Sequence, residues 1–404
     1  MNAPSRSTDT EKLVIAKTST MRYTPLEMIE KFVSFDTTSS KSNLPLIEFA
    51  RGYLESLGFE CEVFPNETGD KANLLARIGP DAGAGVVLSG HLDTVPVAHQ
   101  TWHTDPFKLT VKGDKLHGRG TTDMKSFLAI CTALAPDFAD LPLKEPVYFA
   151  MSYDEELGCL GVPSLVKWLS DLENKPRACI VGEPSNMEVL IGHKGVNIFE
   201  TTVTGKDAHS SQVNSGVSAI VAAAEMIMFL SQILAEMKER GDPTGTFESG
   251  FTSLNVGTIE GGTALNIIPR TCRFVWEYRH IPGTDGNEIL NRFNAFAQTK
   301  LLPRMQAVSS ECDIQTKTIL RYEGLKPEAG TYAESLALRC AGTKHSGTEA
   351  FGTEAGLFQA VGIPTIVCGP GHISQAHQPN EYTTMEQVDR CVVFLRKLLT
   401  ELRV

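Results

Sequence analysis

Hydrophobic positions take on a regular spacing only from Tyr23 onward. Pro25–Phe35 places its apolar residues at helical intervals, with Thr24 as N-cap and Pro25 at the first helical position. Leu44–Leu57 reads as a second amphipathic helix, closed by Gly58. Short apolar runs bounded by turn residues follow at Glu60–Phe64, Asn73–Ile78, Gly85–Ser89, Pro146–Ser152 and Ala178–Val181, with helical stretches at Met124–Ala133 and Pro163–Leu172. Strands alternating with helices predict a mostly parallel central sheet covered on both faces.

After Ile191 the texture changes. Val196–Thr204, Ser253–Ile259 and Arg270–Arg279 read as strands, with long helices at Ser218–Met237 and Gly286–Thr299. From Pro303 the first texture returns, with strands at Asp313–Thr318 and Thr365–Cys368 and helices at Tyr332–Cys340 and Met385–Leu402. The expectation is an α/β domain over 23–191 and 304–404, interrupted by an α+β unit over 192–303, with hinges near Gly192 and Pro303.

Composition removes several classes of function. A chain of 404 residues exceeds one ordinary core, which suits two domains. Its net charge of −11 argues against a nucleic-acid partner, which needs a basic footprint. The nine cysteines contain no C-x-x-C pair, so neither a disulfide framework nor a thiolate zinc cluster is indicated. No stretch reads as a membrane span. Residues 1–22 mix charge with Ser and Thr, lack the apolar core of a secretory signal and read as a flexible tail, which makes the cytoplasm the expected location.

Chemistry concentrates where predicted strands end. The run VVLSGHLD from Val86 leads into His91 and Asp93, which share a face if the strand persists. LHGRGTTDMK from Leu116 puts Asp123 just before a helix, where capping alone would also favour a carboxylate. VYFAMSYDEE from Val147 ends in Asp154, Glu155 and Glu156, three like charges that need either solvent or a cation. ACIVGEPS from Ala178 carries Glu183, and the loop after Thr365–Cys368 offers His372 and His377. Ligands gather at the carboxyl ends of strands in open α/β sheets, and imidazole with carboxylate is a zinc-type donor set.

In order and spacing, from about residue 24 to 400, these segments resemble the dinuclear zinc amidohydrolases that include acetylornithine deacetylase, succinyl-diaminopimelate desuccinylase, aminoacylase and glutamate carboxypeptidases. The resemblance implies a zinc-peptidase-like catalytic domain with a ferredoxin-like dimerisation insert, and two Zn²⁺ per subunit, replaceable by Co²⁺ or Mn²⁺. It implies that His91 and Glu183 hold one ion, Glu156 and His377 the other, and that Asp123 bridges them. Asp93 would orient His91, Glu155 would be the general base, and a cis peptide would follow Asp123. His372 matches none of the family's ligands. His209, in KDAHSS, would reach the second subunit's site of a homodimer and stabilise the tetrahedral oxyanion there, with Asn266 in a similar role, and Arg279 would grip a substrate carboxylate. The segment FGTEAGLFQ, with Thr353 and Glu354, and the ending GPGHISQAHQPNEY are most similar to acetylornithine deacetylases. Hydrolysis of N2-acetyl-L-ornithine, a step of arginine biosynthesis, is therefore the expected reaction, with Glu354 facing the cationic side chain. Another N-acyl-amino-acid hydrolase, a peptidase of the family or a non-catalytic binding protein are the alternatives.

Overall fold

The computed structural model describes residues 22–247 and 250–404. All but Arg22 of the tail expected over 1–22 lies outside the described residues. Thr24 caps α1 (Pro25–Val33) through a reciprocal bond with Glu27, and α2 (Leu44–Ser56) follows. Next come β1 (Glu60–Pro65), β2 (Ala72–Ile78), β3 (Val86–His91), β4 (Thr110–Lys112), β5 (Lys115–His117), α3 (Lys125–Ala133), α4 (Ala135–Asp140), β6 (Val147–Ser152), α5 (Val162–Ser170), β7 (Ala178–Pro184) and β8 (Val189–His193). The chain then crosses into β9 (Gly195–Thr204), α6 (Ala219–Arg240), β10 (Ser253–Gly261), β11 (Thr271–His280), α7 (Glu288–Phe296), α8 (Leu302–Gln306) and β12 (Asp313–Tyr322). It returns through α9 (Tyr332–Ala341), β13 (Ser346–Glu349), α10 (Ala355–Ala360), β14 (Thr365–Gly369), β15 (Tyr382–Thr384) and α11 (Met385–Leu402).

The large sheet runs β1-β2-β6-β3-β7-β14-β8-β13. It is α/β but mixed: β6, β3, β7 and β14 are parallel neighbours, while β1, β2 and the β14–β8 junction pair antiparallel. Every residue of β3, β6, β7 and β14 is buried, which explains their unbroken apolar runs: helices cover both faces. Because these four strands are parallel, their carboxyl ends open on one edge.

The second sheet runs β10-β11-β9-β12, with α6 and α7 packed on one face around Phe199, Phe274, Trp276 and Phe293. Here the sequence expectation is corrected. Strand β12 pairs along its length with β9, from Asp313↔Thr204 to Tyr322↔Val196, so the inserted unit continues to Tyr322 and Pro303 lies inside it, in α8. Helix α6 is long and apolar enough by length and composition to cross a membrane. Its buried face (Ala222, Met226, Leu230, Ile233) packs against the sheet, and Glu225 and Glu236 pair with Arg304 and Arg292 of the same unit. Those contacts are those of a core helix with one face left outside.

Candidate metal centre

The strand ends converge as their parallel order requires. His91 closes β3, Glu183 lies on the neighbouring β7, and Asp154, Glu155 and Glu156 follow β6 on the other side. His377 arrives from the loop after β14. Asp123 differs from expectation: it follows no strand of the large sheet, but a loop after β5 that a buried carboxylate holds in place. Glu381 accepts the backbone N–H groups of Gly120, Thr122 and Asp123 at 3.0, 2.8 and 3.1 Å and the Arg119 guanidinium at 2.7 Å. Arg119 also donates to Gln100, whose amide donates to the His377 carbonyl at 2.9 Å. One network thus fixes both Asp123 and His377. The sequence reading missed Glu381, because an isolated acid before a short strand carries no periodic signal.

The two carboxylate oxygens of Asp123 face two different groups. Oδ1 lies 3.1 Å from His91 Nε2, which is 3.5 Å from Glu183 Oε1. Oδ2 lies 3.2 Å from His377 Nε2, which is 3.0 Å from Glu156 Oε2. Each set brings three donor atoms within reach of one ion, with Asp123 shared. A cis peptide joins Asp123 to Met124.

The electrostatics are those of a site built for cations. Asp93, Asp123, Glu155, Glu156 and Glu183, five carboxyls, are gathered around two imidazoles. Burial would raise Asp123, yet bonds from His377 and His91 hold its carboxyl well below the usual range. Bonds to Asp123 and Glu156 push His377 up to about 11. Burial, followed by the charge of Asp123, drives Glu183 well upward. Cations between these groups would relieve the carboxylate repulsion that burial otherwise intensifies.

The three consecutive acids divide their work. Asp154 turns away to a buried ion pair with Lys71 Nζ at 2.6 Å. Glu156 joins His377. Glu155 belongs to neither metal set and faces the cavity; burial pushes its carboxyl up to about 8, against the pull of His91 and with the repulsion of Glu156. Asp93 does more than orient His91. Its main-chain oxygen takes the His91 Nδ1 bond at 2.9 Å, while its carboxylate, at 3.6 Å, is too far for one. That carboxylate instead accepts the N–H groups of Glu155 and Glu156 at 3.0 and 3.2 Å and the Ser39 hydroxyl at 2.8 Å. Asp93 therefore aligns the acidic turn with its carboxylate and the imidazole with its main-chain oxygen.

A cavity of about 430 Å³ lies over this cluster, lined by Asp123, Glu155, Glu156, Glu183 and His377 on one side and by Val196, Arg279 and Tyr322 of the inserted sheet on the other. Its size suits a small molecule. Arg279 donates to Glu277 at 2.8 Å. His209 and Asn266 meet elsewhere: His209 bridges Ile267, Ser210 N–H donates to the Asn266 carbonyl at 3.0 Å, and neither side chain lines the cavity. His372 is exposed and bonded to Ser374.

Thr353 and Glu354 require correction. Neither lines the cavity, and neither has accessible surface. The Thr353 hydroxyl meets His193 Nε2 at 2.9 Å. Glu354 lies among the central strands, accepting the hydroxyls of Ser89 and Ser152 at 2.5 and 2.7 Å. A carboxylate sealed in this way cannot face a substrate side chain.

Known proteins resemble this chain in sequence and in fold. An acetylornithine deacetylase from Myxococcus xanthus is 35% identical over 376 residues, covering 91% of this chain and 95% of the relative. An M20 family metallo-carboxypeptidase from Sulfolobus solfataricus shares the fold with a TM-score of 0.73 at 17% identity, covering 93% and 98% of the two chains. A dinuclear metal binding peptidase of the M20 family from Bacillus subtilis gives 0.62 at 16% identity, covering 94% and 98%. The profile of peptidase family M20/M25/M40 matches residues 87–401, a span that holds every residue of both donor sets, and the chain belongs to that family.

Proposed function

We propose that this protein is a dinuclear zinc amidohydrolase that cleaves the amide bond of N-acyl amino acids, with N2-acetyl-L-ornithine as the expected substrate and ornithine and acetate as products. One observation carries the reading. Asp123 offers one oxygen to a His–Glu pair and its other oxygen to a second such pair, with Glu155 engaged by neither. Nitrogen and carboxylate donors suit zinc, and Co²⁺ or Mn²⁺ would meet the same set. When bound, such ions supply Lewis acidity, polarising an acyl oxygen and making water a stronger acid.

The chain's own residues do the rest. Glu155, raised toward neutrality by burial, takes a proton from the attacking water and passes it to the departing nitrogen. Asp93 holds the Glu155 and Glu156 N–H groups, so the base keeps its aim when its charge changes. Arg279, across the cavity, suits the substrate's α-carboxylate through its planar fork of donors. His209 and Asn266 would complete the site of a second subunit, which makes a homodimer joined through the inserted unit part of this proposal. A cytoplasmic location also belongs to it, supported by nine cysteines that are all unpaired.

The test is amine release from acetylornithine, succinyl-diaminopimelate, acetylmethionine, acetylcitrulline and a dipeptide. Zinc-loaded protein would be compared with chelated protein and with Glu155→Ala. Activity greatest on acetylornithine and lost in both controls is expected. Metal-dependent activity on another member of the panel would overturn the substrate, and none on any would overturn the reaction.

A further inference from the structure

One polar side chain on the cavity wall has no task in this chemistry. Tyr322 ends β12, directly before the chain returns to the catalytic unit. It stands opposite Val196 of β9, which stands opposite Arg279 of β11, so the three form one row on the same face of the inserted sheet. All three line the cavity, with Ile198 and Leu320 forming the next row.

Two glycines of the catalytic unit fix how closely this face approaches. A Cβ on Gly158 would lie 2.0 Å from Leu320 Cδ1, and one on Gly352 would lie 2.6 Å from both the Tyr322 hydroxyl and Val196 Cγ2. The phenol therefore ends over Gly352, at a place set by backbone contact. Among the described residues its hydroxyl has no hydrogen-bond partner. The ionisable groups that act on it most strongly are Glu155, Cys159, Arg279 and Glu183, and of these Glu155, Arg279 and Glu183 line the same cavity. Burial, reinforced by those carboxylates, keeps the phenol protonated. The other side chains lining the cavity are acids, apolar groups, Arg279 and the metal-facing His377, leaving Tyr322 as its neutral donor.

We propose that Tyr322 is a catalytic residue whose hydroxyl donates a hydrogen bond to the acyl oxygen as the amide carbon becomes tetrahedral. This role rests on the deacylation reaction proposed above, and it adds a second donor to the oxyanion contact that the family resemblance gives His209 of a second subunit. As the water oxygen bonds to the carbon, the carbonyl π pair moves onto the acyl oxygen, and Tyr322 stabilises that charge without giving up its proton. When the C–N bond breaks, its electron pair leaves with nitrogen, which takes the proton held by Glu155. The carboxylate end of the substrate already has Arg279, and the nitrogen needs an acid; the oxygen that gains charge is where a preorganised neutral donor contributes most.

The experiment is steady-state kinetics of zinc-loaded, full-length Tyr322→Phe on acetylornithine, with melting temperature and zinc content measured alongside. kcat is expected to fall about 100-fold, with KM and zinc content near wild type. In parallel, affinity for a phosphinic analogue of the tetrahedral state falls by a similar factor, while affinity for the product ornithine is retained. An unchanged kcat, or a raised KM with kcat intact, overturns the role. Should the wild type hydrolyse no N-acyl amino acid, the reaction itself falls and this role with it; an active wild type matched by Tyr322→Phe removes Tyr322 alone.

Discussion

Asp154, Glu155 and Glu156 are adjacent in sequence yet meet a lysine, an open cavity and an imidazole. The backbone rather than the side-chain chemistry makes the difference, since Asp154 sits at φ 52° and swings the turn round. Glu354 is the opposite case, a residue whose chemistry suggested a substrate contact but whose position forbids it. Its carboxyl is raised by burial and held by two serine hydroxyls, so its work is structural. Glu354→Gln is expected to leave the ratio of kcat/KM for acetylornithine over acetylmethionine unchanged. Glu354→Leu, which strands the Ser89 hydroxyl and leaves Ser152 the Gly90 carbonyl at 3.2 Å, is expected to cost roughly 1–3 kcal/mol in a denaturant titration. A shifted substrate ratio in the glutamine variant would restore the contact. Four of the candidate donors, His91, Glu156, Glu183 and His377, were legible in the sequence because each follows or closes a buried strand, and parallel order brings those strand ends together, whereas Asp123 comes from a loop after β5. Glu354 was not legible, since its place in the chain does not reveal that it packs among the central strands.

Among the elements, the crossing between the two units holds a second illegible feature. The outgoing crossing lies at His193–Lys194, between β8 and β9 and close to the texture change after Ile191. The return is at Glu323–Leu325 rather than Pro303, because β12 joins β9 by a long-range register that its own alternation does not encode. The two crossing segments touch: His193 N–H donates to the Leu325 carbonyl at 3.0 Å, and a Cβ on Gly324 would lie 2.3 Å from the His193 oxygen. The His193 ring is buried between the Lys194 carbonyl and the Thr353 hydroxyl, and burial lowers it from 6.5 to about 4. In the unfolded chain this imidazole takes a proton first, so its contribution to stability is intact above about pH 6.5 and is lost as pH falls towards 4. Between pH 7.5 and 5 the wild type is expected to lose about 2 kcal/mol more than His193→Gln, measured by denaturant midpoints at both pH values. Equal losses would show that some other group carries the acid sensitivity.

At the level of the whole molecule, the inserted unit has more apolar surface than it uses. Outside its core, α6 exposes Val221 and Met228 at 58% and 60%, and the loop beside it exposes Leu265 fully. Strand β10 is an open edge of the sheet. Unpaired edges and contiguous apolar faces call for cover, and under the proposed function a second copy would be the cover that also supplies chemistry. His209 and Asn266 sit together on this unit, away from their own cavity, which is the placement expected if each serves the other subunit. The arrangement makes a quantitative prediction. His209→Ala and Glu155→Ala proteins are each expected to be nearly inactive alone. After subunit exchange, half the dimers pair one of each, and in those one site joins an intact Glu155 to the partner's His209. About a quarter of wild-type activity should then return at statistical exchange. If His209 served its own cavity, neither parent nor mixture would hold an intact site, and mixing would restore nothing.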